Sequence, residues 1–182
     1  CSLITDEVTR IDQLVATLDP LAPSAPRTMA AMNIHEALEH ARLATVAALG
    51  VGITFALHYD PSLPHVRAVQ GELVQALLNL MKNAAEAVAG VDEPRITLTT
   101  RYVLGETRRN AAGEKLPIAI SVADNGPGIA ADITPLLFAP FTTTKADGRG
   151  LGLAIVARII QDHGGLIAHD VPSAGGARFT IY

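Results

Sequence analysis

The chain of 182 residues has no tryptophan, and aromatic residues make up only 4% of it. Alanine, leucine, isoleucine and valine must therefore fill the interior. At 49% hydrophobic residues they can do so without help from disulfides or a structural metal. The single cysteine, Cys1, excludes an internal disulfide and fits a reducing, cytoplasmic compartment. Basic charge is not in excess. A net charge of −4 argues against a nucleic-acid partner held by a general positive field, although an anionic small ligand needs only local donors. No apolar run approaches the roughly 20 residues of a bilayer span, and no signal-peptide pattern is visible, so no membrane segment is expected. No repeat or low-complexity tract stands out. The chain does not begin with methionine, and it reads as a piece of something longer.

What is present divides into three parts. Ile4, Val8, Ile11, Val15 and Leu18 recur at heptad spacing, with Thr5, Asp6, Glu7, Arg10, Asp12 and Gln13 outside the seam. Residues 1–18 are therefore expected to end a helical hairpin or stalk, although a short helix docked on its own domain has the same pattern. Asp19 to Arg27, DPLAPSAPR, carries three prolines and reads as a stiff linker. The globular domain is expected over 28–182. Its first strand should run from Thr28 to Ile34, followed by a helix capped by Asn33 and ended by Gly50. Strands are expected at 52–59, 66–69, 95–104, 117–123, 166–169 and 177–182. Those at 95–104 and 117–123 flank a polar loop and should form a hairpin. A short irregular or helical piece is expected at 129–138, and a helix from Leu151 to His163, stopped by Gly164 and Gly165. There His163 would suit the helix-end dipole. Helices and strands segregate, which predicts a two-layer α/β sandwich.

The most informative stretch is Glu72 to Val88, ELVQALLNLMKNAAEAV. At about 100° per residue, Leu73, Val74, Leu77, Leu78, Leu80, Met81, Ala84, Ala85 and Val88 cover one broad apolar side. Glu72, Gln75, Asn79, Asn83 and Glu86 fall in a polar stripe roughly 80° wide, with Lys82 at its edge. Each asparagine costs a helix roughly half a kcal/mol relative to alanine. Two of them one turn apart place hard, neutral carboxamide oxygens where they can reach a small cation or its waters. A plain surface helix with incidental asparagines remains the alternative.

Two glycine clusters follow. In DNGPG, Asp124 to Gly128, a carboxylate at a strand end is succeeded by a turn whose backbone can approach a ligand closely. Asp124 could accept from an exocyclic amine such as that of adenine, or the run could be a simple Asn-Gly turn. In GRGLGL, Gly148 to Leu153, a glycine-rich loop opens a helix, an arrangement suited to anions. Its spacing is neither the dinucleotide fingerprint nor the Walker-type loop. Just upstream, PFTTTK at Pro140 to Lys145 adds three hydroxyls and an ammonium that could close over phosphates, or form an ordinary surface loop.

LLNLMKNAAEA, DNGPGI, LFAPFTTTK and GRGLGL, in that order, resemble the motif set of the ATP-binding domain of sensor histidine kinases. The resemblance covers residues 28 to about 182. The wider GHKL superfamily includes the ATP domains of type II topoisomerases, Hsp90 and MutL. NIHEALEHAR, YDPSLPHV, LLNLMKNAAEAV and the TLTTRY strand further resemble nitrogen-regulation sensor kinases of the NtrB type. The resemblance implies a Bergerat-type α+β fold, with a mixed, mostly antiparallel sheet packed on about three helices. It implies that ATP and Mg2+ are bound. Asn83, with Asn79 beside it, would hold the Mg2+, and Lys82 would lie near the phosphates. Asp124 would take the adenine amine, in a loop shaped by Gly126, Gly128 and Ile129. Phe138 and Phe141 would sit in a lid. Thr144, Lys145, Gly148, Gly150, Leu151 and Gly152 would line the triphosphate. Ala139, in the lid, stands where the family often has an acidic residue.

None of the six histidines lies in the H-E-x-x-N-P context of a phosphoacceptor. His35-Glu36 has the dipeptide without the Asn-Pro. The resemblance therefore implies a kinase domain whose acceptor histidine is on a dimerisation hairpin missing from this sequence. The partners it implies are that hairpin, in a homodimer, a response regulator and a PII-type signal protein. Two other readings stay open: a clamp-like ATPase of the same superfamily, and a module that holds nucleotide without catalysis.

Overall fold

The computed structural model describes residues 28–49, 52–105, 108–143 and 150–182. The heptad helix expected over 1–18, the linker over 19–27 and Gly50 lie outside them. The described helices are α1 (Ile34–Leu49), α2 (Gln70–Ala87) and α3 (Gly152–Asp162). The strands are β1 (Ala30–Met32), β2 (Thr54–His58), β3 (Val66–Ala68), β4 (Arg95–Tyr102), β5 (Arg108–Arg109), β6 (Lys115–Leu116), β7 (Ile118–Asp124), β8 (Ile167–Asp170) and β9 (Arg178–Ile181).

Asn33 starts α1 as expected: its Oδ1 accepts the His35 N–H at 3.0 Å. That cap draws Ile34 into the helix, so the strand before it is Ala30–Met32 rather than 28–34. In α1, Ile34, Ala37, Leu38 and Ala41 are buried, and the hydroxyl of the buried Thr45 donates back to the Ala41 carbonyl at 2.8 Å. Helix α2 begins two residues before the expected Glu72 and buries Leu73, Ala76, Leu77, Leu80, Met81, Ala84 and Ala85. Their spacing follows one face of a 3.6-residue period. Alanines on the facing sides of α1 and α2 let the two backbones approach closely, which suits a core with few aromatics.

The main sheet has the order β2-β4-β7-β9-β8. β2 runs parallel to β4, because α2 crosses over between them; the other neighbours are antiparallel. The β4–β7 hairpin pairs Ile96 with Asp124 and Tyr102 with Ile118, as the flanking apolar runs predict. Leu98, Val122 and Phe179 form one row across three strands, all buried in the cluster that also contains the buried faces of α1, α2 and α3. The helices therefore cover one face of the sheet, giving the expected α+β, two-layer architecture. On the other face, Ser121 and Thr180 satisfy each other across β7 and β9, hydroxyl to hydroxyl, at 2.9 Å.

The polar loop expected from Gly105 to Lys115 carries a small ribbon instead, β5 paired with β6. Asn110 makes its turn: Oδ1 accepts from Ala112 N at 3.1 Å and Glu114 N at 2.9 Å, and Nδ2 donates to the Gly164 carbonyl at 3.0 Å. This ribbon is thereby tied to the end of α3. Residues 129–138 contain a single 3-10 turn, Thr134–Leu136, with proline in its first turn.

Leu77 is fully buried where α2 meets the core, whereas Leu104 is 84% exposed. Leu77→Ala is expected to cost about 2–5 kcal/mol of unfolding free energy, and Leu104→Ala less than about 0.5 kcal/mol. Urea unfolding followed by circular dichroism measures both, and equal losses would contradict this placement of the core.

Candidate functional site

Asp124 ends β7 with its side chain on the helix-facing side of the sheet, only 8% exposed. Both of its side-chain hydrogen bonds from the backbone go to one oxygen: Oδ1 accepts from Gly126 N at 2.9 Å and from Ala177 N at 3.3 Å. Among the described residues, the other oxygen, Oδ2, accepts no hydrogen bond. Burial raises the pKa of the carboxyl above its ordinary value, opposed by these two amides and by the nearby His169. Asn125 fixes the turn to the start of β4. Its Oδ1 accepts from Arg95 N at 2.8 Å and its Nδ2 donates to the Glu93 carbonyl at 3.0 Å.

The glycines around this carboxylate are required by contact. A Cβ at Gly126 would lie 2.8 Å from the Ala87 carbonyl oxygen, at the end of α2. One at Gly176 would fall on the Asp124 carbonyl oxygen, and Gly176 also has φ +84°. Gly128, with φ +81°, is packed against the Gly176 carbonyl. Gly176 and Ala177 are site residues the sequence reading did not single out. The Gly175-Gly176 pair before the last strand was the available signal.

The polar stripe of α2 faces the start of α3. A Cβ built on Gly152 stands 3.7 Å from Asn83 Nδ2 and 3.9 Å from Asn83 Oδ1. One turn earlier, Asn79 Nδ2 is buried without a hydrogen-bond partner among the described residues. Lys82 is largely exposed and lies 4.0 Å from Glu86 Oε1. Leu151 is buried beside Gly152 and anchors the first turn of α3. Gly150 lies so close to the backbone of Phe141 and Thr142 that a Cβ there would approach to 2.5 Å. Phe141 has φ +65° and is 60% exposed, whereas Phe138 packs edge-on against Phe179 with centroids 6.3 Å apart. Ile129 lies against the core. Of the expected phosphate-side residues, Thr144, Lys145 and Gly148 lie outside the described residues.

The last turns of α2 thus touch both glycine clusters, Asn83 at Gly152 and Ala87 at Gly126. A buried acceptor stands at one end of this arrangement. A helix N-terminus facing a carboxamide stands at the other, and the free N–H groups of such a terminus suit an anion. Among the described residues no three carboxylates, imidazoles or thiols converge on one point. A cation here would have to share its coordination between carboxamide oxygens and a ligand's own oxygens. Mg2+, which takes few protein ligands and keeps waters or phosphate oxygens, fits that donor set.

A family model described as histidine kinase-, DNA gyrase B-, and HSP90-like ATPase matches residues 68–182. Among curated relatives, the sensory histidine kinase/phosphatase NtrB of Rhizobium leguminosarum bv. phaseoli is 46% identical over 172 residues, which is 92% of this chain and 45% of that protein. The chain thus spans just under half the length of such relatives. Among solved structures, the catalytic domain of the histidine kinase ThkA in a nucleotide-free form is 27% identical at a TM-score of 0.66, covering 84% of this chain and 93% of that one. Full-length ShkA in complex with AMPPNP is 28% identical at a TM-score of 0.67, covering 99% of this chain and 37% of that one.

The raised pKa of Asp124 has a signed consequence. Its contribution to stability is fully present below the ordinary carboxylate pKa of about 3.9 and is lost as pH rises through the higher folded value. Asp124→Asn keeps an oxygen for the two amides and carries no charge. The stability of wild type relative to the variant should therefore fall with rising pH across that window, leaving the variant at least as stable at pH 7. Denaturant unfolding of both proteins at several pH values measures the difference, and a difference growing with pH would contradict this account.

Proposed function

The chain belongs to the histidine kinase-, DNA gyrase B-, and HSP90-like ATPase family, and from that premise we propose that residues 28–182 are the ATP·Mg-binding catalytic domain of a two-component sensor histidine kinase. The observation that carries this reading is the reach of α2, which sets Asn83 against Gly152 and Ala87 against Gly126. One helix thereby joins a base-recognising end to a phosphate-holding end.

In this reading the exocyclic amine of adenine donates to Asp124 Oδ2, while Oδ1 stays bound to Gly126 and Ala177. Gly126 and Gly128 keep the loop thin enough for the base to reach the carboxylate, and Ile129 lies along its apolar side. The triphosphate meets the backbone amides of Gly148, Gly150, Leu151 and Gly152, assisted by the dipole of α3. Lys82, Thr144 and Lys145 add side-chain donors to the phosphates, and Phe138 and Phe141 belong to the covering lid. Asn83, with Asn79, holds the Mg2+. When bound, that ion neutralises charge on the phosphates.

The chemistry is phosphoryl transfer. An imidazole nitrogen from a helical hairpin attacks the γ-phosphorus in line with the β–γ bridging oxygen. The P–N bond forms as the P–O bond breaks, and ADP leaves. The phosphoryl group then passes to an aspartate of a response regulator, breaking the P–N bond. Residues 1–18 and 19–27 serve as the end of that hairpin and its linker, in a homodimeric full-length protein of the cytoplasm. The 46% identity to an NtrB protein supports a role in nitrogen regulation, with a PII-type signal protein as a regulatory partner.

Calorimetric titration with ADP and AMPPNP, with and without Mg2+, tests the site. We expect saturable 1:1 binding strengthened by Mg2+, and a loss of about tenfold or more (about 1.4 kcal/mol) in Asp124→Asn, whose Nδ2 would meet the base amine donor to donor. Asn83→Ala should reduce mainly the Mg2+-dependent part. Absence of binding in the wild type would overturn the reading. Incubation with γ-labelled ATP and a separately supplied histidine hairpin should transfer label to the hairpin. Tight nucleotide binding without transfer would leave only a nucleotide-holding module.

A further inference from the structure

His163 caps the C-terminal end of α3, where the sequence suits it to the helix dipole, but its ring does something more specific. Nδ1 lies 2.7 Å from the Ile159 carbonyl oxygen, in the last turn of its own helix. Nε2 accepts the N–H of Val69 at 3.0 Å, and Val69 is the residue that opens α2. The carbonyl can only accept and the amide can only donate. The hydrogen of the imidazole must therefore sit on Nδ1, with the lone pair on Nε2 turned to Val69. The side chain is 8% exposed, and the nearest acidic oxygen, Glu72 Oε2, stands 3.9 Å from Nδ1. Helix α2 has no side-chain cap of its own at Val69. Its first turn is fastened instead by a ring from the other helix.

The place of this contact gives it meaning. Helices α2 and α3 run antiparallel, touching at Val69 and His163 at one end and at Asn83 and Gly152 at the other. The second end is the phosphate side of the proposed site. Between the ends, Leu73, Leu77, Val156, Ile159 and Ile160 are buried in one apolar cluster. Interdigitation of such side chains sets how far one helix lies along the other only to within the give of the packing. A rigid ring held to its own helix at Nδ1 and to Val69 at Nε2 adds a directional bond between the two helices that narrows it further.

We propose that His163 is a positioning residue for nucleotide binding, its ring locking the register of α3 against α2 so that the glycine-rich start of α3 stands at the right distance from Asn83. The proposal rests on the nucleotide-site reading above. It requires a side chain with both an acceptor and a donor, long enough to reach two backbones. Glutamine meets that requirement. Asparagine can still serve the end of α3 but is too short to reach Val69.

The experiment is calorimetric titration of the 182-residue protein with ADP and with AMPPNP plus Mg2+, in wild type, His163→Asn and His163→Gln. Thermal unfolding is measured on the same samples. With the fold intact by circular dichroism, we expect His163→Asn to raise Kd roughly fivefold or more and His163→Gln to stay within about twofold of wild type. A purely structural role would lower the Tm of His163→Asn without moving Kd, and that result would overturn the proposal. Equal weakening in the Gln variant would overturn it as well. If His163→Asn does not fold, the Gln variant decides alone: binding at wild-type strength supports the tie, and weakened binding removes it. If wild type binds no nucleotide, the site reading falls and takes this inference with it. If wild type binds and the variants match it, only the inference falls.

Discussion

A carboxylate at the end of a central strand can be buried only if something holds its charge, and at Asp124 two backbone amides do so through a single oxygen. Much of the surrounding construction follows. Ala177 can donate only if the segment before β9 runs hard against the end of β7, which is why Gly176 sits where no side chain fits. Gly126 can donate only if the turn folds back toward the end of α2, where the Ala87 carbonyl leaves no room for a Cβ. The sheet, the last turn of α2 and the turn before β9 are thus drawn to one point. The second oxygen has no hydrogen bond among the described residues, and burial of the carboxyl raises its pKa against the pull of those two amides.

The helical layer answers a different demand. With so few aromatics, the core gains density from alanines that let α1 and α2 approach, and from leucines and isoleucines reaching down to the row of Leu98, Val122 and Phe179. Such an interior is smooth. Polar groups also fasten the helix ends: Asn33 at the start of α1, Asn110 from the β5–β6 ribbon to Gly164, and His163 from α3 to Val69. Each supplies a hydrogen bond to a backbone group at a helix end that would otherwise lack one.

Where the signal is local, the sequence shows it. The apolar face of α2, the Asn33 cap and the β4–β7 hairpin are periodicities or short-range hydrogen bonds, and all three stand as expected within two residues or so. Asn79 and Asn83 were conspicuous because asparagine is unfavourable inside a helix, so its presence there asks for a reason. What was not legible depends on partners far along the chain. Ala177 looks like any strand residue until its N–H is found on a carboxylate more than fifty positions away. The ribbon within residues 108–116 has two-residue strands, too short for any alternating pattern. The role of His163 follows from which atoms it meets, which residue type alone does not disclose.

The Asn125 contacts have one more consequence, for how the protein ages. An asparagine followed by glycine is the pair most open to deamidation, in which the backbone nitrogen of the glycine attacks the side-chain carbonyl carbon, closes a five-membered imide and expels ammonia. Here the Asn125 carboxamide is held at its oxygen by the first residue of β4 and at its nitrogen by the Glu93 carbonyl just before that strand, and the Gly126 nitrogen that would attack is occupied in donating to Asp124. The reactive atoms are thus kept from meeting by the same bonds that shape the turn. The dipeptide's chemical lifetime is set by how often the turn opens, so damage at this position should accumulate as a record of local unfolding.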